Sequence, residues 1–143
     1  MRVATGDVRA ASAPSSGNVR LMTVVVSHLN NPEGRQALST AVAEARARSA
    51  RLVVVAPAVP HEAPGGEALA EVLARLDQFG VTHEVVTAPG DLAEALVDAA
   101  VRTRAELIVI GLRRRSPVGK LILGAGAQRI LLDAPCPVLA VKS

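Results

Sequence analysis

Five short apolar runs alternate with helix-patterned segments, and that alternation constrains the chain more than any other feature. The runs are Leu21–Ser27 (LMTVVVS), Arg51–Ala56 (RLVVVA), Thr82–Thr87 (THEVVT), Leu107–Ile110 (LIVI) and Val138–Val141 (VLAV). Short β-branched runs of this kind read as strands buried in a parallel sheet. The third run alternates polar with apolar residues, which places it at an edge. Between the runs, Asn31 reads as an N-cap with Pro32 at the first helical position. That helix runs to about Ala50 and turns Leu38, Ala41, Val42 and Ala45 inward. A second helix carries Leu69, Val72, Leu73, Leu76 and Phe79 on one face and ends at Gly80. A third starts at Gly90–Asp91, with Asp91 and Glu94 spaced as a capping-box variant, and buries Leu92, Leu96 and Ala99. A fourth covers Gly126–Asp133. Five strands alternating with four helices predict an α/β fold: a single-domain, open five-stranded parallel sheet with helices on both faces.

The chain of 143 residues suits one domain. Residues 1–20, rich in Ala, Ser, Gly and Pro and without any period, read as a disordered tail before a domain over 21–143. Half of the residues are hydrophobic, yet Phe79 is the only aromatic one, so the core must be built from Val, Leu, Ile and Ala. Scarce aromatics argue against single-stranded nucleic acid, which binds largely by base stacking. A net charge of +3, with its one basic cluster at Arg113–Arg115 and Lys120, gives little support for any nucleic-acid partner. A single cysteine, Cys136, excludes an internal disulfide and fits a reducing compartment. No run approaches membrane-spanning length, and the N-terminal residues lack the apolar centre of a signal peptide. A cytoplasmic protein without a membrane partner is expected.

The stretch from Leu107 to Lys142 carries the functional signal: strand, basic glycine-containing loop, short helix from Gly124, and last strand. This unit presents a helix N-terminus, whose free N–H groups and dipole favour anions. Two phosphate-binding motifs fail on it. A Walker loop ending at Gly119–Lys120 needs Gly at 114 and Ser or Thr at 121, where the chain has Arg114 and Leu121. A dinucleotide fingerprint from Gly124 needs Gly at 129, where the chain has Arg129.

The same stretch resembles the C-terminal signature of the universal stress protein family: LIVIG, then RRRSPVGKLILG, AQRIL and APCPVLAVK. Nucleotide-binding members of that family carry Gly, two residues, Gly, nine residues, Gly, then Ser or Thr. The register here gives Gly111, Arg114, Gly124 and Ala125, so two of the four positions match. The resemblance, which covers Val24 to the C-terminus, implies the strand order 3-2-1-4-5 and a ligand crevice at the C-terminal ends of strands one and four. Ser27–Asn31 and Gly111–Gly124 would line it. The family's carboxylate after the first strand falls on Leu29, and its adenine-reading backbone near Pro57, which has no N–H to donate. Arg114 stands at the second glycine and Ala125 at the hydroxyl. Gly111, Gly124 and the flexible Gly126 remain, Arg113 and Arg114 could offer cations to phosphate, and Ser27 and His28 face the crevice.

Each of these residues also has a plainer reading. The arginines could be solvated loop charges, Cys136 a small core residue at a strand start, and Asp91 and Glu94 simple capping residues. His28, His61 and His83 share no ligand spacing, so no metal site is expected. No catalytic residues can be named, because no nucleophile–base pair, paired carboxylates or ligand cluster emerges. The favoured expectation is a non-catalytic stress-response module with a degenerate site for ATP or another adenine nucleotide. The alternative is an interaction protein of the same fold without nucleotide, and a weak ATPase comes third. The resemblance also implies a homodimer formed by pairing the last strand, Val138–Val141, across a two-fold axis.

Overall fold

The computed structural model describes residues 22–58, 68–112 and 124–142. The tail over 1–20, Leu21, His61, Arg113, Arg114, Arg115 and Lys120 lie outside the described residues.

The described elements follow the alternation: β1 (Thr23–Ser27), α1 (Pro32–Arg48), β2 (Arg51–Pro57), α2 (Leu69–Gln78), β3 (His83–Ala88), α3 (Leu92–Thr103), β4 (Leu107–Leu112), α4 (Ala125–Asp133) and β5 (Val138–Lys142). All four strand pairings are parallel, and the order is β3-β2-β1-β4-β5. β1 is central and wholly buried, as its uninterrupted VVV demands, because helices cover both faces.

Side-chain alternation along each strand divides the core in two. Val24 and Val26 of β1, with Leu52 and Val54 of β2, pack against Leu38, Ala41 and Ala45 of α1 and Val72 and Leu76 of α2. On the other face Val25, Val53, Val55, Ile108 and Ile110 meet Leu96, Ala99 and Ala100 of α3 and Ile130 of α4. Among the described residues no aromatic side chain takes part, and α1 and α3 pack through alanine-rich faces.

Local chemistry fixes the helix ends. The Asn31 Oδ1 accepts from the Gly34 N–H at 2.7 Å, with Pro32 inside the first turn. The Asp91 carboxylate caps α3 by accepting from Ala93 N–H at 3.3 Å. α1 and α3 close on left-handed residues without glycine, Ser49 (φ 52°) and Arg104 (φ 54°).

Several sequence expectations need correction. Phe79 is the C-cap of α2 and 45% exposed rather than part of its buried face. Phe79 still has helical backbone (φ −82°, ψ −4°), and Gly80 at φ 69° turns the chain just after it. The Arg46 guanidinium lies 5.2 Å from the ring centre instead. Glu94 turns towards Arg129 of α4, 3.8 Å away, so α3 is capped by Asp91 without the reciprocal glutamate bond expected of a capping box. β2 and β4 each run further than the apolar runs suggest, to Pro57 and Leu112.

Candidate functional site

The crevice lies where the strand order reverses, between β1 and β4. Ser27 ends β1, and the His28 N–H continues its ladder to the Val55 carbonyl at 2.8 Å. Ser27 and His28 are both buried, so two polar side chains stand at the C-terminal end of the central strand. The chain then folds tightly: Asn31 N–H donates to the Leu29 carbonyl at 2.9 Å before α1 begins.

Two glycines let this turn close. A Cβ on Gly34 would overlap the Leu29 carbonyl oxygen and sit 2.8 Å from its carbon. A Cβ on Gly111 would overlap the Glu33 carbonyl oxygen, 2.8 Å from its carbon and 3.2 Å from the Glu33 Cβ. The first turn of α1 therefore rests directly on the end of β4. This contact brings Ser27, His28 and Leu29 together with Gly111, and it gives Gly111 a packing role whether or not a ligand binds.

Pro57 closes β2 at the same end of the sheet, in register with Ala88 of β3. Gly124, Ala125 and Gly126 open α4, and all three are exposed. Their position follows from α3, which starts where β3 ends: a Cβ on Gly126 would lie 3.7 Å from the Cβ of Ala93, the second residue of α3. The N-terminus of α4 therefore sits at the C-terminal edge of the sheet. Arg113 and Arg114, the proposed phosphate cations, lie outside the described residues.

The N-termini of α1 and α4 differ in what they can offer. In α1, Pro32 has no N–H, the Gly34 N–H is taken by Asn31, and Glu33 adds negative charge. In α4, Gly124 provides no capping side chain and the first turn holds no acid. The first intrahelical bond there is Gln128 N–H to the Gly124 carbonyl at 3.0 Å. The N–H groups of Ala125, Gly126 and Ala127 thus precede the helical ladder. Among the described helices, α4 alone combines no cap with no acid in its first turn. No described atom lies within 4 Å of a Cβ placed on Gly124, so described packing does not require glycine there.

Sequence reasoning missed Arg129. Its guanidinium reaches the Asp91 carboxylate at 3.2 Å, Glu94 at 3.8 Å and Asp133 at 3.8 Å, joining α4 to α3. The Asp133 pair, four residues apart on one helix, was visible in the sequence; the cross-helix pairs were not. Beside this network, Pro89, Gly90, Asp91, Glu94, Ala95 and Asp98 line an acidic depression of about 290 Å³. Their spacing of three and four along α3 was likewise legible. Cys136 is half-buried, and burial followed by the nearby Glu106 carboxylate pushes its thiol up to about 11. A thiol held neutral is a poor nucleophile, in keeping with a core role. Among the described residues, no group of three or more His, Cys, Asp or Glu side chains could hold a metal ion. No described helix is long and apolar enough to cross a membrane.

An open parallel sheet of order β3-β2-β1-β4-β5, with its switch point between β1 and β4 and helices on both faces, defines a doubly wound α/β domain. Comparison with known proteins makes the class specific. A family model described as the universal stress protein family matches residues 20–142. A universal stress protein of Mycolicibacterium smegmatis is 42% identical over 126 residues, covering 83% of this chain and 96% of that one. The chain belongs to the universal stress protein family. Among solved structures, a universal stress protein from Archaeoglobus fulgidus superposes with a TM-score of 0.67 at 28% identity, over 87% of this chain and 100% of that one. Another, solved in complex with cAMP, gives 0.66 at 25% identity over 87% and 98%.

Proposed function

We propose that this protein is a non-catalytic, cytoplasmic stress-response module that binds an adenine nucleotide weakly at the β1/β4 crevice. The observation that carries this reading is the N-terminus of α4, whose three leading N–H groups precede the helical ladder with no side-chain cap and no acid in the helix's own first turn. The relative solved with cAMP supports the same ligand class.

Three residues weaken such a site. Leu29 cannot accept a hydroxyl, Ala125 cannot donate one, and Pro57 lacks an N–H. Each lost hydrogen bond to a charged group costs roughly 1.5–3 kcal/mol, and about 1.4 kcal/mol is tenfold in affinity. Two such losses move a micromolar site to about millimolar. The same apolar substitution, Leu29, stands where a carboxylate would assist a metal or a water, which disfavours an ATPase. Leu29 and Pro57 also support a second reading, an interaction protein of this fold that has lost its nucleotide.

Equilibrium dialysis against ATP, AMP and cAMP separates the two. With no Trp or Tyr in the chain, the protein barely absorbs near 260 nm, so retained nucleotide is read directly. Saturable retention in the high-micromolar to millimolar range, without hydrolysis of ATP, supports the nucleotide reading. No retention at millimolar concentration would favour the interaction protein, and turnover of ATP would overturn the non-catalytic assignment.

The unit that acts is proposed to be a homodimer. Among the described strands β5 lies at an edge with one side unpaired, and Leu139 and Val141 lean on the α1 face while Ala140 is exposed. Antiparallel pairing with a second copy would satisfy that edge. In a register centred on Ala140, Leu139 would face the partner's Val141.

A further inference from the structure

The way α4 is attached sets it apart from the other helices. Of its nine residues, all described, Ile130 alone is buried. Leu131 is 44% exposed and Leu132 83%, so neither anchors the helix to the described residues. α4 packs chiefly on α3, through the close approach of Gly126 to Ala93 and through Arg129. A helix this short is marginal by itself and depends on tertiary support.

Arg129 supplies that support in an unusual arrangement. One guanidinium meets two carboxylates of α3, Asp91 at 3.2 Å and Glu94 at 3.8 Å, and also Asp133 one turn further along its own helix. A lone exposed ion pair contributes little. Here one planar fork spans three carboxylates, and the helix it holds adds only the buried Ile130 and the partly buried Ala127 from its own side chains, so the ionic contacts are a substantial part of what ties α4 to α3.

We propose that Arg129 is a positioning residue: it holds α4 docked on α3, and this docking sets the affinity of the crevice for its nucleotide without any contact between Arg129 and the ligand. The proposal rests on the nucleotide reading above. Its logic is linkage. A ligand that accepts hydrogen bonds from Ala125, Gly126 and Ala127 N–H binds only when α4 is in place, and the apparent dissociation constant rises as the docked fraction falls. Reciprocally, bound nucleotide should hold α4 where Arg129 no longer does.

The experiment compares full-length wild type, Arg129→Ala and Arg129→Lys, with Arg51→Ala as control because it breaks an exposed pair elsewhere, Arg51–Glu84 at 3.2 Å. Two readouts are taken: amide hydrogen exchange resolved by element, and equilibrium dialysis against AMP. Arg129→Ala is expected to lose protection in α4 while β1 and β4 stay protected, and to bind AMP about three- to tenfold more weakly. Saturating AMP should restore part of the α4 protection. Arg129→Lys, which keeps the charge without the fork, should fall between, and Arg51→Ala should match wild type. Raising salt to about 1 M should loosen α4 in wild type and add nothing in Arg129→Ala, because exposed charges are then screened within about 3 Å.

Unchanged α4 protection in Arg129→Ala would overturn the docking role. Loosened α4 with unchanged AMP affinity would overturn the coupling. A wild type that retains no AMP would overturn the ligand reading, and α4 loosening in Arg129→Ala of that same protein would still support Arg129 as the holder of the helix.

Discussion

At the scale of single residues, the glycines divide by what surrounds them rather than by their place in a motif. Gly34 and Gly111 each face a backbone carbonyl that cannot retreat. Gly111→Ala should cost about 1–3 kcal/mol by overpacking, measured by urea denaturation, whether or not nucleotide is present. Among the described residues Gly126→Ala meets just the Ala93 methyl, at ordinary distance, and within a helix it should be neutral or stabilising by up to about 1 kcal/mol. A Gly111→Ala protein as stable as wild type would contradict the packing role. Ser49 and Arg104 hold left-handed backbone without glycine. Ser49→Gly and Arg104→Gly should each stabilise by about 0.5–1 kcal/mol, seen as a raised urea midpoint with unchanged slope. Cys136 gives a pH prediction. Its thiol is raised to about 11 in the fold from an ordinary 9.0. The unfolded chain therefore releases that proton first, so this group's effect on stability is flat below 9 and turns unfavourable as pH rises above it. Alkylation by iodoacetamide at pH 9 should run at about a tenth or less of the rate for the unfolded chain; equal rates would contradict the burial.

At the scale of elements, much of the fold was legible and the reason is physical. β1, β2 and β4 are continuous apolar runs because both faces are covered, and α1 announces itself through Asn31 and Pro32. Asn31→Ala should cost about 1 kcal/mol, read by thermal or urea unfolding, because the Gly34 N–H then loses its partner. Phe79 was misplaced because periodicity extends a helix face past its true end, and only the reversal at Gly80 stops it. Glu94 was misassigned because its local partner and its tertiary partner compete, and sequence shows only the first. The strand order came from the resemblance, since alternation alone permits several orders. Of the candidate site, Gly111 and the start of α4 were visible, but the contact of Gly111 with Glu33 is long-range and left no local signature. The same holds for Arg129, whose α3 partners lie 38 and 35 positions away (129 − 91 and 129 − 94).

At the scale of the whole molecule, one small domain carries both the edge strand β5 and the switch point between β1 and β4. Among the described strands β5 has one edge unpaired, with apolar Leu139 and Val141 beside it, and the proposed homodimer uses that edge. Leu139→Pro should yield monomer or insoluble protein in light scattering, since proline removes a pairing donor; an unchanged dimer would contradict the edge-strand assembly. A nucleotide titration followed by backbone amide chemical shifts tests the proposed binding at the β1/β4 crevice most directly. AMP added to millimolar concentration should move the amides of Ser27, His28, Gly111 and Gly124–Ala127 along one saturable curve while α2 and β3 stay still. Shifts confined to other elements, or none at all, would contradict it.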